Sequence, residues 1–336
     1  MQKMQERYSR QEALPEIGKD GQASLGKAKI MIIGLGALGT AQATYLARAG
    51  IGELILVDRD IVELNNLHRQ MLFDEDDIDK PKAVAAKDHI SRINSNVKIS
   101  AHVAEFNASI AEKLVSSVDL VLDGTDNMET RYLINDVCVK LGKAWIYGGA
   151  VGTFGMMLPI IPNGLCLRCI FPEIPSPGNL PTCDTAGILN TLPPVIAAFQ
   201  VTETIKIILD REVSSNLLIV DMWTQDIRNM IIGKDDSCPT CGKRRYDFLT
   251  AKNRRAYLKM CGRNAVQILP KESLRIPLAS LRDRLEKVGR VEMKSDVLFF
   301  AVDEIELVIF SDGRTIVRGT DDPVKARALF SKYVGD

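Results

Sequence analysis

Residues 29–58 read KIMIIGLGALGTAQATYLARAGIGELILVD, two short apolar runs separated by a glycine-rich turn and an alanine-rich segment. Apolar runs of this length with a helix-forming stretch between them predict strand, helix, strand. Gly34, Gly36 and Gly39 give the spacing GxGxxG at the strand-to-helix turn, where free amide N–H groups and the helix dipole favour a phosphate or ribose. Asp58, closing the second run, suits a ribose-binding carboxylate. By itself the motif fits a plain tight turn, a nicotinamide dinucleotide site or an ATP site.

Outward from this unit, the pattern predicts a helix over 82–93, a strand over 97–103, a helix over 109–116 and a strand over 119–122. Alternation of this kind builds a parallel, doubly wound, Rossmann-like sheet. From Trp145 the text turns glycine-rich and hairpin-like (IYGGAVGTFGMMLPIIP), then passes through a loop dense in proline and cysteine into an apolar helix over 192–209. The fold class is therefore α/β, a mostly parallel sheet continuing into an antiparallel half. We assign 1–143 to a nucleotide-binding half and 144–245 to a second half of one domain, and 246–262 to a basic linker. The remainder, 263–336, is a small α+β domain with a strand at VQILP, a helix over 278–287, a hairpin turning at Ser311-Asp312-Gly313 and a last helix over 323–333.

Composition excludes some partners. Lys+Arg 43 against Asp+Glu 43 leaves no net charge, so neither nucleic acid nor an anionic membrane is expected to bind it. No apolar leader opens the chain and no run reaches the roughly 18 apolar residues of a membrane span. A cytoplasmic protein is expected, in a compartment where seven cysteines serve metal or thiol chemistry rather than disulfides.

Asp60, Asn66, Arg69 and Gln70 follow closely on Asp58, and Lys82 sits in the run Lys80-Pro81-Lys82-Ala83. Cleavage of a triphosphate needs cations to offset charge on the departing pyrophosphate, a role suited to Arg69 and Lys82. A solvated charged face is the plainer alternative for these residues. Asp123-Gly124-Thr125-Asp126-Asn127 falls at the carboxyl end of the fourth strand, the edge where open α/β sheets bind ligands. Asp126 is a candidate Mg²⁺ ligand, and Asp126 or Asn127 can equally cap the next helix.

Cys166-x-x-Cys169 and Cys238-x-x-Cys241 have the spacing of two zinc knuckles, whose four thiolates close a tetrahedral structural site with no open position. The redox alternative is weaker, because Pro172 and Pro239 put both pairs in loops rather than at the head of a helix. Cys183 stands in the polar, glycine-containing loop PTCDTAG and is a candidate nucleophile; Cys138 and Cys261 have weaker claims, Cys138 being expected in the core. The histidines His68, His89 and His102 show no neighbouring Ser or Asp pattern of a hydrolytic triad.

In order along the chain, ERYSRQ, GLGALG, LVDRDIVELNNLHRQ, the PKA lysine, DGTDN, both CxxC pairs and the cysteine loop resemble the ThiF/MoeB family of ubiquitin-activating-enzyme-like adenylyltransferases, over residues 6–245. CGRNAVQI and DGRTIVRGT resemble the C-terminal extension of such proteins from Gram-positive bacteria. The resemblance implies ATP-dependent adenylation of the C-terminal glycine carboxylate of a ubiquitin-like sulfur carrier, of thiamin or molybdopterin type, giving acyl-AMP and pyrophosphate. It implies Gly34, Gly36 and Gly39 beneath the nucleotide, Asp58 on the ribose, and Asp60, Asn66, Arg69, Gln70 and Lys82 around the triphosphate. It implies Thr125 and Asn127 beside the nucleotide, Asp126 on Mg²⁺, Zn²⁺ on the four cysteines, and Cys183 as acceptor or persulfide carrier. Arg10 would reach into the partner subunit's site, which requires a homodimer. Asn65 stands where the family usually has serine. An NAD-dependent oxidoreductase, a non-catalytic zinc-stapled scaffold, and adenylation of a peptide or tRNA base are the competing expectations.

Overall fold

The computed structural model describes residues 6–173, 183–250, 257–259, 264–269, 276–294 and 297–335. Two units separate: one runs to Ile78 and resumes over Lys82–Thr250, the other holds Asp79–Pro81 and the described residues beyond Thr250.

In the first unit, helices α1 (Ser9–Glu12) and α2 (Gly18–Leu25) precede β1 (Lys29–Ile33), α3 (Ala37–Ala49) and β2 (Glu53–Asp58). Two single 3-10 turns, Leu64–Asn66 and Glu75–Asp77, lead to α4 (Lys82–Ile93), β3 (Lys98–Val103), α5 (Ala108–Ser116), β4 (Leu120–Asp123) and α6 (Met128–Leu141). The antiparallel half follows with β5 (Ala144–Val151), β6 (Phe154–Ile160), α7 (Leu167–Ile170), α8 (Cys183–Ala186), α9 (Leu192–Ile208), β7 (Leu217–Asp221), β8 (Asp226–Met230) and α10 (Asp247–Thr250). The eight strands run β3-β2-β1-β4-β5-β6-β7-β8. Pairing is parallel from β3 to β5 and antiparallel from β5 to β8.

The central strands are buried on both faces, which their near-continuous apolar text requires. Ile30, Ile32, Leu54, Leu56 and Leu122 pack under α3, α4 and α9, while Met31, Ile33, Val57, Val121 and Trp145 pack under α5 and α6. The strand order reverses between β1 and β4, where their following loops leave the sheet and open a crevice.

The second unit has β9 (Tyr257–Lys259), β10 (Ala265–Ile268), α11 (Leu278–Leu285), β11 (Arg290–Lys294), β12 (Val297–Val302), β13 (Ile305–Phe310), β14 (Thr315–Arg318) and α12 (Pro323–Tyr333). Its antiparallel sheet runs β11-β12-β13-β14-β10-β9, and alternate residues Leu298, Phe300, Leu307, Ile309 and Val317 meet Leu281, Leu285 and Phe330 of the helices.

Two expectations change. The stretch 246–262 is not wholly a connector: Phe248 of α10 stacks on Tyr132 with ring centroids 4.9 Å apart, and 257–259 forms the edge strand β9. Phe248, an aromatic residue next to a run of arginines, decides the first of these. The first cysteine knuckle and Cys183 also leave the loop class. Cys166 caps α7 and Cys183 opens α8, each helix only four residues long, the first stopping just short of Pro172.

Candidate active site and four-cysteine centre

The glycine turn is shaped by contact with the loop after β4. Gly34 adopts φ +86°, and a Cβ there would stand 2.7 Å from the Gly124 carbonyl. A Cβ on Gly39 would fall 1.9 Å from the Gly34 oxygen, so only glycine lets α3 start this close to β1. Gly36 differs. Its nearest neighbour would be the Gly124 oxygen at 3.7 Å, leaving room above the α3 N-terminus for a ligand to approach the backbone.

Asp58 locks this turn. Its carboxylate accepts hydrogen bonds from Leu35 N at 2.5 Å and Asp60 N at 2.7 Å. Burial pushes its pKa up, against the opposing pull of Lys82. Lys82 opens α4 with its side chain buried and its Nζ 3.7 Å from Asp60 Oδ2, while its backbone N–H donates to the Asp60 carbonyl. One buried ammonium thus faces two carboxylates beside the glycine turn.

Asn66 and Gln70 are buried in the crossover loop, and Asn66 Oδ1 and Gln70 Oε1 have no hydrogen-bond partner among the described residues. Buried acceptors without donors are rare and mark a place for a ligand group or water. Arg69 is folded back, Nη1 donating to the Asn65 carbonyl at 2.7 Å. Arg59, which sequence reasoning passed over, pairs with Glu105 at 3.0 Å and interacts electrostatically with Asp126.

The DGTDN turn is held from beneath. Asp123 Oδ1 accepts from Thr125 N and Thr125 Oγ1 at 2.8 and 2.7 Å, and Oδ2 from Arg131 Nε at 3.0 Å and Gly148 N at 3.3 Å. Arg131 also donates to the Thr125 and Gly148 carbonyls. Asp126 and Asn127 are exposed. Asn127 caps α6 through Thr130 N, whereas Asp126 projects from the turn within the field of Arg59 and Arg131. Neither Asp123 nor Arg131 stood out in the sequence beyond the turn motif, although an aspartate ending a strand with an arginine in the first turn of the next helix is the available signal.

Arg10 is not part of this cluster. Gln11 Nε2 donates to the Ala49 carbonyl at 2.9 Å, which sets α1 against the C-terminal end of α3. The glycine turn lies at the other end of that helix, about 20 Å away for 13 residues. The Arg10 guanidinium is exposed and has no hydrogen bond or ion pair among the described residues.

Cys166, Cys169, Cys238 and Cys241 converge with every Sγ within 4.8 Å of the others, Cys166–Cys238 at 3.6 Å and Cys169–Cys241 at 3.4 Å. Zn–S bonds of about 2.3 Å imply tetrahedral sulfur separations of about 3.8 Å, so the four fit one zinc ion. Burial and the facing Cys238 push the Cys166 thiol up to about 12 without a cation. Asn135 Oδ1 takes Leu167 N, while Asp136 takes Thr240 Oγ1 and Phe248 N, tying both knuckles to α6. The Cys183 side chain lies outside the described residues, and Cys138 is buried in the core with its thiol pKa raised by burial.

His89 has an acidic partner that its local sequence does not show: its Nε2 meets Asp77 Oδ2 at 2.5 Å. This aspartate comes from the 3-10 turn, 12 residues before the histidine, so the pair was not visible as a local pattern.

The fold and site together define a doubly wound α/β protein with a nucleotide-type glycine turn and a cysteine cluster that could hold zinc. Residues 8–240 match the profile described as the ThiF family, and the chain belongs to that family. Across 98% of its length, and 99% of the relative's, it is 37% identical to the Bacillus subtilis (strain 168) sulfur carrier protein ThiS adenylyltransferase. It is 34% identical to the Thermus thermophilus sulfur carrier protein adenylyltransferase over 76% of this chain and 96% of that one. Among solved structures, E. coli MccB with AMPCPP and MccA is similar at a TM-score of 0.63 and 25% identity, covering 70% of this chain and 74% of that one.

Proposed function

We propose that this chain adenylates the C-terminal glycine carboxylate of a ubiquitin-like sulfur carrier with ATP, releasing pyrophosphate. The observation that carries the reading is buried Lys82 facing Asp58 and Asp60 beside the glycine turn, in a chain of this family.

The carrier carboxylate oxygen attacks the α-phosphorus, the new P–O bond forms as the bond to the bridging oxygen breaks, and pyrophosphate leaves with the electron pair. The nucleophile is already an anion, so the protein needs no general base; positioning and charge neutralisation suffice. Gly34, Gly36 and Gly39 cradle the nucleotide, and Asp58, which keeps acceptor capacity beyond its two backbone bonds, takes the ribose. Asn66, Gln70 and Thr125 offer polar contacts. Lys82 moves from Asp60 toward the phosphates, joined by Arg69, and Asn127 stands beside the nucleotide. Asp126 would hold the magnesium ion that accompanies ATP, which offsets charge on the departing pyrophosphate. Cys183 follows adenylation, as acyl acceptor or sulfur carrier. Zinc on the four cysteines is structural.

The same reading requires a homodimer, since Arg10 lies far from its own glycine turn and reaches a nucleotide only in a second subunit. We seat that partner on a groove of about 330 Å³ between α1, α3 and α9, lined by Gln11, the neighbour of Arg10 in sequence, and by Tyr45, Arg48, Val201 and Ile205. Exposed Trp223, Ile227 and Ile231 around the edge strand β8 offer the carrier an apolar face. No described helix is long and apolar enough to cross a membrane, and we place the reaction in the cytoplasm.

ATP–pyrophosphate exchange tests the reading. Exchange should appear only when a carrier of thiamin or molybdopterin type is added; its absence with every such carrier, in protein that binds ATP, overturns the assignment.

A further inference from the structure

Beneath the crevice lies a pair of amides that the reaction described above does not use. Gln42 of α3 and Gln200 of α9 are both fully buried. Gln42 Nε2 donates to the Asp123 carbonyl at 2.9 Å and to Gln200 Oε1 at 2.6 Å. Gln200 Nε2 donates to the same Asp123 carbonyl at 3.1 Å and to the Ile146 carbonyl at 3.2 Å. The fit is close, since a Cβ on Gly148 would stand 2.4 Å from Gln200 Nε2.

The location is specific. β4 pairs β5 only up to Leu122 and Ile146, after which the strands part and leave carbonyls without ladder partners. The two amides cap those carbonyls at the switch point. With Arg131, Thr125 and Gly148 on its carboxylate, Asp123 then has both its backbone and side-chain oxygens engaged. Its peptide cannot turn without breaking several buried hydrogen bonds, and Asp126 lies three residues further on.

One amide already satisfies the carbonyl: Gln200 Nε2 donates to the Asp123 oxygen, so the second amide, Gln42, is not needed for that. Gln42 also brings an Oε1 that has no partner among the described residues, which an apolar side chain there would not. We propose that Gln42 and Gln200 are positioning residues: they fix the DGTDN turn so that Asp126 meets the magnesium–triphosphate, and they join the glycine-turn helix α3 to α9 of the antiparallel half. The proposal rests on the adenylation reading for its kinetic consequence and on the hydrogen bonds alone for its structural one.

Gln42→Met, Gln200→Met and the double variant test it, with Ile196→Val, a buried change on the same helix, as control. Misplacement near the reacting centre by about 1 Å costs on the order of 100-fold. We expect each single variant to lower the kcat of carrier-dependent exchange about 10- to 100-fold with less than about a 3-fold change in KM for ATP. The double variant should be slower than either single, because only it strips the Asp123 carbonyl of both amide donors. Gln42→Met exchanges one orphaned oxygen for another, so its Tm should stay within about 4 °C of wild type. Hydrogen–deuterium exchange of the peptide spanning 120–130 should quicken in both single variants and not in the control. Wild-type kcat in the variants, or rate losses that track Tm as in Ile196→Val, overturns the proposal. Should wild type itself fail to exchange with any carrier, the adenylation reading falls, and unchanged deuterium uptake over 120–130 in the variants would overturn the positioning role independently.

Discussion

Lys82 is buried with its ammonium paired to Asp60 and within the field of Asp58, and this makes it the residue whose loss is most informative. Lys82→Ala should lower pyrophosphate exchange at least about 10²–10³-fold, as removal of a preorganised charge donor does, with far-ultraviolet circular dichroism unchanged. Exchange within a few-fold of wild type would remove Lys82 from the reaction. Asp136 carries a different prediction. Burial pushes its pKa from 3.8 up to about 6. Between those values the folded protein holds a proton that the unfolded chain has released, so this group's contribution to stability falls as pH rises from about 4 to about 6. Asp136→Asn has no such titration. The difference in Tm between wild type and variant should move against wild type across that window and level off above it; a constant difference would contradict the assignment.

The two cysteine pairs belong to the scale of elements, because they join α7 to the turn before α10 through α6. Cys166→Ser should leave less than one zinc per chain by plasma mass spectrometry and lower the Tm, and chelation of the wild type should do the same. Full zinc content in the variant would mean the metal sits elsewhere. At this scale the sequence was most readable. GxGxxG after an apolar run, alternating strands and helices, and CxxC spacing each reflect local geometry, and Lys82–Ile93 and Pro323–Tyr333 match their expected bounds. What stayed hidden depends on contacts distant in sequence. Gln42 and Gln200 are 158 positions apart, Phe248 finds Tyr132 across the fold, and Asp77 reaches His89 from a 3-10 turn. Ordinary polar residues become structural only when the topology places them at one strand end.

For the whole molecule the question is whether one chain holds a complete site. Arg10 sits at the far end of α3 from its own glycine turn, so Arg10→Ala and Lys82→Ala chains should complement each other. In the homodimer proposed above, random mixing makes half the dimers mixed, each with one intact site, and restores about a quarter of wild-type exchange. No recovery after subunit exchange would place Arg10 outside the reaction. The central claim, that this chain activates a carrier carboxylate with ATP, is read most directly on the carrier itself. Intact-mass spectrometry of a Gly-Gly-terminated sulfur carrier, after incubation with wild-type protein and Mg·ATP, should show addition of one AMP at the C-terminal glycine, and none with Lys82→Ala. An unmodified tail on every thiamin- and molybdopterin-type carrier, with ATP bound and the protein folded, would contradict it.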